Sequence, residues 1–404
     1  MFKSIFKMTN IILIIVFIIS LIFKSIFVDK IMVLVIIVLL IYLGSKEEKI
    51  INPYYLFALT PISLLLYFNV SDYYMLDLTH ETYLLSILNI ITFILVFSST
   101  SVSKSKIVKN QKLNNKFNSI SFLRYSTFFL LSLSLLSYLV PWLESVIWLF
   151  AVPGIVCAFK SKEKKLILIV IGYILFVASI ELSKMAVLFY ILAIIISLER
   201  FYSFFKEKSI RIKITLFLSI ILLIYSFSFA NKDRGFYDSE SGMEYYASQG
   251  AEWNSSVVFF LPYMYFTTPW SNLQFVINNQ DSRTYGLWTI KPVLGYLGLK
   301  NFFNENYKLE SYSSFNTFTF ITVGFKDFGY WLSFLPTILI AFLSKKVYSK
   351  YLVSQSPYDV ANYIIFSLAI LLMFFSNHFY MLSYPFTMLI LMLIFKFKIR
   401  QVNR

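Results

Sequence analysis

The sequence predicts an all-α polytopic membrane protein. It has about twelve transmembrane helices, both termini cytoplasmic, and one large outer loop with short interfacial or re-entrant helices. Three observations lead there. The 404 residues are 58% hydrophobic and 20% aromatic but only 14% charged, with a mean hydropathy of +0.71. A soluble domain carries about 25% charged residues and about 45–50% apolar ones. Apolar stretches of spanning length recur along the chain, and basic residues gather in alternate connecting segments. A soluble globule of this size is excluded, as is a disordered chain.

A spanning helix needs about 20 mostly apolar residues. Such segments lie near 9–28, 31–45, 53–70, 82–100, 122–140, 143–159, 166–181, 184–199, 214–230, 328–344, 360–376 and 379–395. The first is followed by Lys24 and Asp29 with no small-residue cleavage site, so it reads as a retained helix rather than a signal peptide. The chain divides into helices 1–9 over 1–230, an outer loop over 231–327, and helices 10–12 with a basic cytoplasmic tail over 328–404.

Charge tests this topology. With the N-terminus inside, 26 of the 36 basic residues and 6 of the 21 acidic ones fall on the inner face. The formal net charge of +15 thereby sorts into +20 within and −5 without. Every inner segment carries at least two basic residues, as the positive-inside rule requires. The surplus of positive charge is therefore a topology signal and implies no nucleic-acid partner. The strongly basic inner segment 101–124 is matched to anionic membrane lipids.

The 97-residue outer loop breaks the pattern of short connections, and a loop of that length is usually functional. Seven of the eleven glycines lie in it and an eighth, Gly329, just past its end. Two of its stretches, 255–270 and 285–299, are apolar but interrupted by proline and shorter than a span. They read as a pair of interfacial or re-entrant helices, which preserves the topology of the last three spans.

Several chemistries are missing. No GxxxxGK[ST] or GxGxxG motif is present, so no nucleotide-binding loop is visible. The triplet Asp327-Phe328-Gly329 has the letters of a kinase motif but none of its companions. One cysteine, Cys157, and two histidines, His80 and His378, provide no disulfide and no histidine-rich metal site. The helix centres are almost free of ionisable residues, which weighs against an ion-driven carrier.

Of the ten outer basic residues only Arg234 and Arg283 are arginines, and both lie in the long loop. Arginine binds phosphate bidentately and stays charged. The pair suits a lipid-linked diphosphate; each also has an acidic neighbour, Asp233 and Asp281, with which it could form a surface ion pair. Lys291 and Lys326 could neutralise phosphate or snorkel to the interface. Asp233, Glu252 and His378 are candidates for a general base, each also readable as solvated or structural. His80, in another outer turn, is a weaker candidate. The loop's aromatic residues fit a membrane-interface belt and could also stack on sugars.

The whole design resembles the Wzy-type polymerases of bacterial surface polysaccharides, the O-antigen or oligosaccharide repeat-unit polymerases. The resemblance rests on about a dozen helices with one large outer loop before the last three, on Arg234 after the ninth helix, and on two local runs. These are YMYFTTPWSNLQF (263–275), with Asn272, and FNTFTFITVGFKDFGYW (315–331), with Asn316, Thr317, Thr319, Asp327, Phe328 and Gly329.

What the resemblance implies is a glycosyltransferase of the bacterial plasma (inner) membrane. It would transfer a growing glycan from undecaprenyl diphosphate to the terminal sugar hydroxyl of a lipid-linked repeat unit on the outer face. Arg234 and Arg283, supported by Lys291, would hold the diphosphate, and the base would come from Asp233, Glu252 or His378. No cofactor and no metal are expected. The other expected partners are a chain-length regulator and a flippase of the same pathway. Two alternatives share parts of the pattern: a lipid-linked oligosaccharide flippase, which needs no long outer loop, and an O-antigen ligase, which would share the loop and its arginines.

Overall fold

The structure is a computed structural model. It describes residues 2–47, 49, 51–69, 75–99, 119–139, 147–180, 184–202, 257–279, 283–296, 311–312, 317–354, 356–375, 387–390 and 393. The described residues are mostly helical and contain no strand. In chain order the helices are α1 Phe2–Phe23, α2 Ile26–Ser45, α3 Pro53–Phe57, α4 Leu59–Leu65, α5 His80–Ser99, α6 Ile120–Leu139, α7 Ala151–Ser161, α8 Lys164–Ile180, α9 Lys184–Phe201, α10 Val257–Asn278, α11 Leu287–Tyr296, α12 Phe320–Leu332, α13 Phe334–Val353 and α14 Pro357–Leu371.

Among the described residues, α2 and α5 are each long and apolar enough to cross a membrane alone. The pair α12–α13, bent by 117° at Ser333, passes the same test together, as a broken span or a re-entrant loop. The other apolar helices are shorter or interrupted. The 53–70 segment, expected as one span, is divided at Ala58 into α3 and α4, and Pro53 and Pro61 sit at their early turns. The 328–344 segment also differs from expectation: its helix begins at Phe320, is broken at Gly329, and meets α13 past Ser333 at an angle of 117°.

The chain forms two compact units. The first comprises 1–101, 220–343 and 369–380. In it α1 and α2 form a hairpin through Lys24, whose φ of 46° is left-handed. Leu13, Val16, Val33, Ile36 and Leu40 are buried, whereas Ile11, Ile15, Ile18, Ile22, Leu34 and Val38 face outward. Such an exposed aliphatic stripe is what lipid contact would leave uncovered. Buried Asn52 joins α2 to α3: it accepts from Tyr55 N–H at 3.2 Å and donates to the Gly44 carbonyl at 3.1 Å. In α5, buried Asn89 donates to Ser333 Oγ (2.9 Å) and accepts from Thr337 Oγ1 (2.7 Å). The bend between α12 and α13 is thus held by a polar clasp. A Cβ on Gly324 would stand 2.3 Å from the Ser333 carbonyl oxygen, so the close approach of backbone at this bend needs glycine.

The second unit comprises 102–219, 344–368 and 381–404. Its centre is α7, which packs on α6, α8 and α9 and is buried from Ala151 to Phe159. Tyr351 and Tyr363 stack at 4.1 Å, with Tyr348 5.3 Å from Tyr363. At the basic end, Arg124 donates to Glu163 at 2.7 Å.

Candidate functional site

The site grows from α10, in the first unit. The sequence predicts a short apolar stretch ending at Trp270, but α10 runs 22 residues to Asn278. The extension is possible because its polar side chains turn inward and are satisfied there. Trp270 Nε1 donates to Ser63 Oγ at 2.9 Å. Ser271 Oγ accepts from Leu76 N–H at 2.8 Å. Gln274, buried, accepts from Thr79 N–H (2.8 Å) and Thr82 Oγ1 (2.5 Å). Asn272 donates to the Thr317 carbonyl (2.7 Å) and accepts from Tyr312 N–H (2.9 Å). This last pair fixes the chain just before it enters α12.

The segment 283–296 is attached to α12 by main chain and side chain together. Thr284 N–H donates to the Lys326 carbonyl (3.2 Å) and Tyr285 N–H to the Asp327 carbonyl (3.1 Å). Asp327 is fully buried. Its carboxyl oxygens accept from Thr284 Oγ1 (2.5 Å), Trp288 N–H (2.9 Å), Thr289 N–H (2.7 Å) and Thr289 Oγ1 (2.5 Å). Two of those donors are amides of the first turn of α11, which every helix leaves without an internal partner. Asp327 therefore caps α11 from another helix. It supplies the carboxyl group that the local sequence Thr284-Tyr285-Gly286 does not place at the cap. The lookalike kinase triplet thereby acquires a structural meaning. Phe328 packs near Gly286, and Gly329 breaks the helical backbone with φ 71° and ψ −168°.

Gly329 is where Arg283 lies. A Cβ added there would stand 2.8 Å from Cζ, Nε and Nη2 of the Arg283 guanidinium. Arg283 is exposed, yet its side chain rests on a surface that only glycine leaves open. No described carboxylate pairs with it, and Asp281 lies outside the described residues. Beside it Tyr285 is 81% exposed with φ 48°. Lys291, half-buried in α11, places its ammonium 3.8 Å from the Trp288 ring centroid, a cation–π contact between neighbouring turns.

Of the residues expected to form the site, Arg283 and Lys291 thus share one small unit, 283–296, with Asp327 as its anchor. Asp233, Arg234, Glu252 and His378 lie outside the described residues. Asp327 was legible as a motif letter but not as a cap. The signal available was an apolar helix start without its own cap.

His80 is engaged elsewhere in the first unit. Its Nδ1 lies 2.7 Å from Oδ2 of the fully buried Asp29, whose other oxygen accepts from Ser20 Oγ. The cluster ties α1, α2 and α5 together. Among the described residues no three His, Cys, Asp or Glu side chains group closely enough to hold a metal. Comparison of the chain with protein-family models, with curated proteins and with solved structures finds no match.

Proposed function

We propose that the chain is a polymerase of bacterial surface polysaccharide, a membrane glycosyltransferase working on lipid-diphosphate-linked glycans at the outer face of the plasma membrane. The observation that supports this reading most is the seating of Arg283. An exposed guanidinium with no described carboxylate partner lies against Gly329, on a segment locked by Asp327. A fixed cation of this kind suits a diphosphate leaving group.

In the reaction, the acceptor sugar hydroxyl attacks the anomeric carbon of the donor. The bond from that carbon to the diphosphate oxygen breaks, and undecaprenyl diphosphate leaves with the bonding electron pair. The hydroxyl proton passes to a base, for which the sequence offers Asp233, Glu252 and His378. Negative charge grows on the bridging oxygen. A preorganised cation stabilises it without reorganising, an effect worth roughly 10²–10³ in rate per donor removed. Lys291, on the same helix unit, adds a second positive charge.

The test is deletion of the gene followed by electrophoresis of surface glycan. Cells making single-repeat products only are expected. Total loss of surface repeats would point to a flippase, and full-length chains left on the carrier lipid to a ligase. Arg283→Ala should give the same single-repeat phenotype at unchanged protein level; a normal ladder from it would sink the diphosphate role.

A further inference from the structure

We infer that His80 is the general base that takes the proton of the acceptor sugar hydroxyl, with Asp29 as its positioning residue; the inference rests on the polymerase reading. His80 opens α5, and Asp29 lies in the first turn of α2. His80 Nδ1 stands 2.7 Å from Asp29 Oδ2, and Ser20 Oγ donates to Oδ1. Asp29 is fully buried, and among the described residues no lysine or arginine pairs with it. The N-terminal end of α2 suits a carboxylate there. Opposite a carboxylate, Nδ1 of the neutral ring carries the hydrogen, so the lone pair is on Nε2. Nε2 has no hydrogen-bond partner among the described residues, and the His80 side chain is 18% exposed. The carboxylate is closed off while the basic nitrogen is left open.

Three neighbouring elements hold this histidine in place. Gln274 of α10 accepts from Thr79 N–H at 2.8 Å and from Thr82 Oγ1 at 2.5 Å, which fixes the start of α5 on both sides of His80. Asp29 of α2 holds the ring itself. From α12, the Tyr330 hydroxyl donates to the Glu81 carbonyl at 3.0 Å. Tyr330 follows Gly329, the residue against which the Arg283 guanidinium lies. The backbone end of Tyr330 therefore borders the proposed diphosphate cation, and its hydroxyl end borders the proposed base. A donor held at Arg283 and an acceptor held at His80 meet across this one residue. As the acceptor oxygen bonds the anomeric carbon, its proton moves to Nε2. The diphosphate leaves with the electron pair of its bond to that carbon. The ring becomes an imidazolium whose Nδ1–H still faces Asp29, so the new charge is paired where it forms. The imidazolium then returns the proton to water.

The test uses full-length protein in phosphatidylcholine vesicles. Its substrate is the single-repeat carrier lipid extracted from cells lacking the gene. Native protein should join the repeats. His80→Asn places an amide N–H where Nδ1 was, which preserves the bond to Asp29 and removes Nε2. Its kcat should fall about 10²–10⁴-fold, with KM and melting temperature near native. Should His80→Asn not fold, His80→Gln decides on the same readout. Asp29→Asn can donate to Nδ1 and so moves the ring hydrogen to Nε2. Its kcat should fall with KM unchanged, a split that a packing role alone would not produce. Glu81→Gln changes the exposed carboxylate beside His80 and should polymerise normally. Undiminished kcat in the His80 variant would overturn the base, as would an equal loss in Glu81→Gln. A raised KM with native kcat in Asp29→Asn would overturn the positioning role. Failure of the native protein to join repeats would instead overturn the polymerase reading, and the base with it.

Discussion

Gly329→Ala tests the seat of Arg283 with a single methyl group. At φ 71° and ψ −168° the residue occupies a region that is essentially glycine-only, where another side chain costs about 1–3 kcal/mol. The added Cβ would also meet Cζ, Nε and Nη2 of Arg283 at 2.8 Å, where ordinary contact begins at 3.4 Å. The guanidinium must therefore retreat by at least 0.6 Å, or the backbone must turn. A misplacement near 1 Å in a catalytic arrangement costs about 10²-fold in rate. In cells lacking the native gene, Gly329→Ala should shift surface glycan from long ladders toward single repeats while membrane-fraction protein falls only modestly. Full ladders from Gly329→Ala at normal protein level would refute the reasoning.

Asp327→Ala leaves the Trp288 and Thr289 amides without their acceptor, at about 1–3 kcal/mol for each buried donor orphaned. Hydrogen exchange across 284–296 should accelerate and polymer should shorten. Asp29→Ala removes the fully buried hydrogen-bond partner of His80 and Ser20, at about 1–3 kcal/mol for each group left unpaired. A sharply lower melting temperature than for a surface Asp→Ala control is expected. Lys160 gives a pH signature in phosphatidylcholine vesicles. Burial, then the Arg200 charge, holds its ammonium at about 8 against 10.5 in the unfolded chain. Above pH 8 the unfolded state binds more protons, so this group's penalty, complete below pH 8, is relieved as pH rises toward 10.5. Lys160→Met should therefore melt higher than the native protein at pH 7, and the gap should close with rising pH. A gap that is constant with pH would contradict the burial of its charge.

Apolar length made much of the helical order legible. Segments expected at 82–100, 122–140, 166–181 and 184–199 correspond to α5, α6, α8 and α9 within a few residues. What apolarity could not convey is where a helix continues through polar residues. Ser271, Asn272 and Gln274 follow the run that ends at Trp270, yet α10 continues through them. Their side chains satisfy backbone and hydroxyl groups near residues 76–82 and 312–317, and those partners are distant in sequence. The bend at Ser333 was hidden for a similar reason. Gly329 breaks the helix just before it, with φ 71° and ψ −168°, and the turn is then held by a backbone contact at Gly324 and a clasp from Asn89, a partner distant in sequence.

The same long-range logic decides how the outer unit could hold an anion. A helix N-terminus attracts phosphate through its free amides, and α11 begins beside Arg283. Those amides, however, already donate to Asp327. Backbone recognition of a diphosphate at α11 is therefore closed, and side-chain cations must provide it. Asp327 would itself repel a phosphate, but its oxygens are enclosed by four donors and shielded by burial. The exposed charge of the unit is cationic: Arg283 on the Gly329 seat, and Lys291 held over Trp288. Lysine in place of Arg283 would keep the charge and lose the planar fork that lies beside Gly329. In the polymerase reading, the seat thus serves geometry as much as charge.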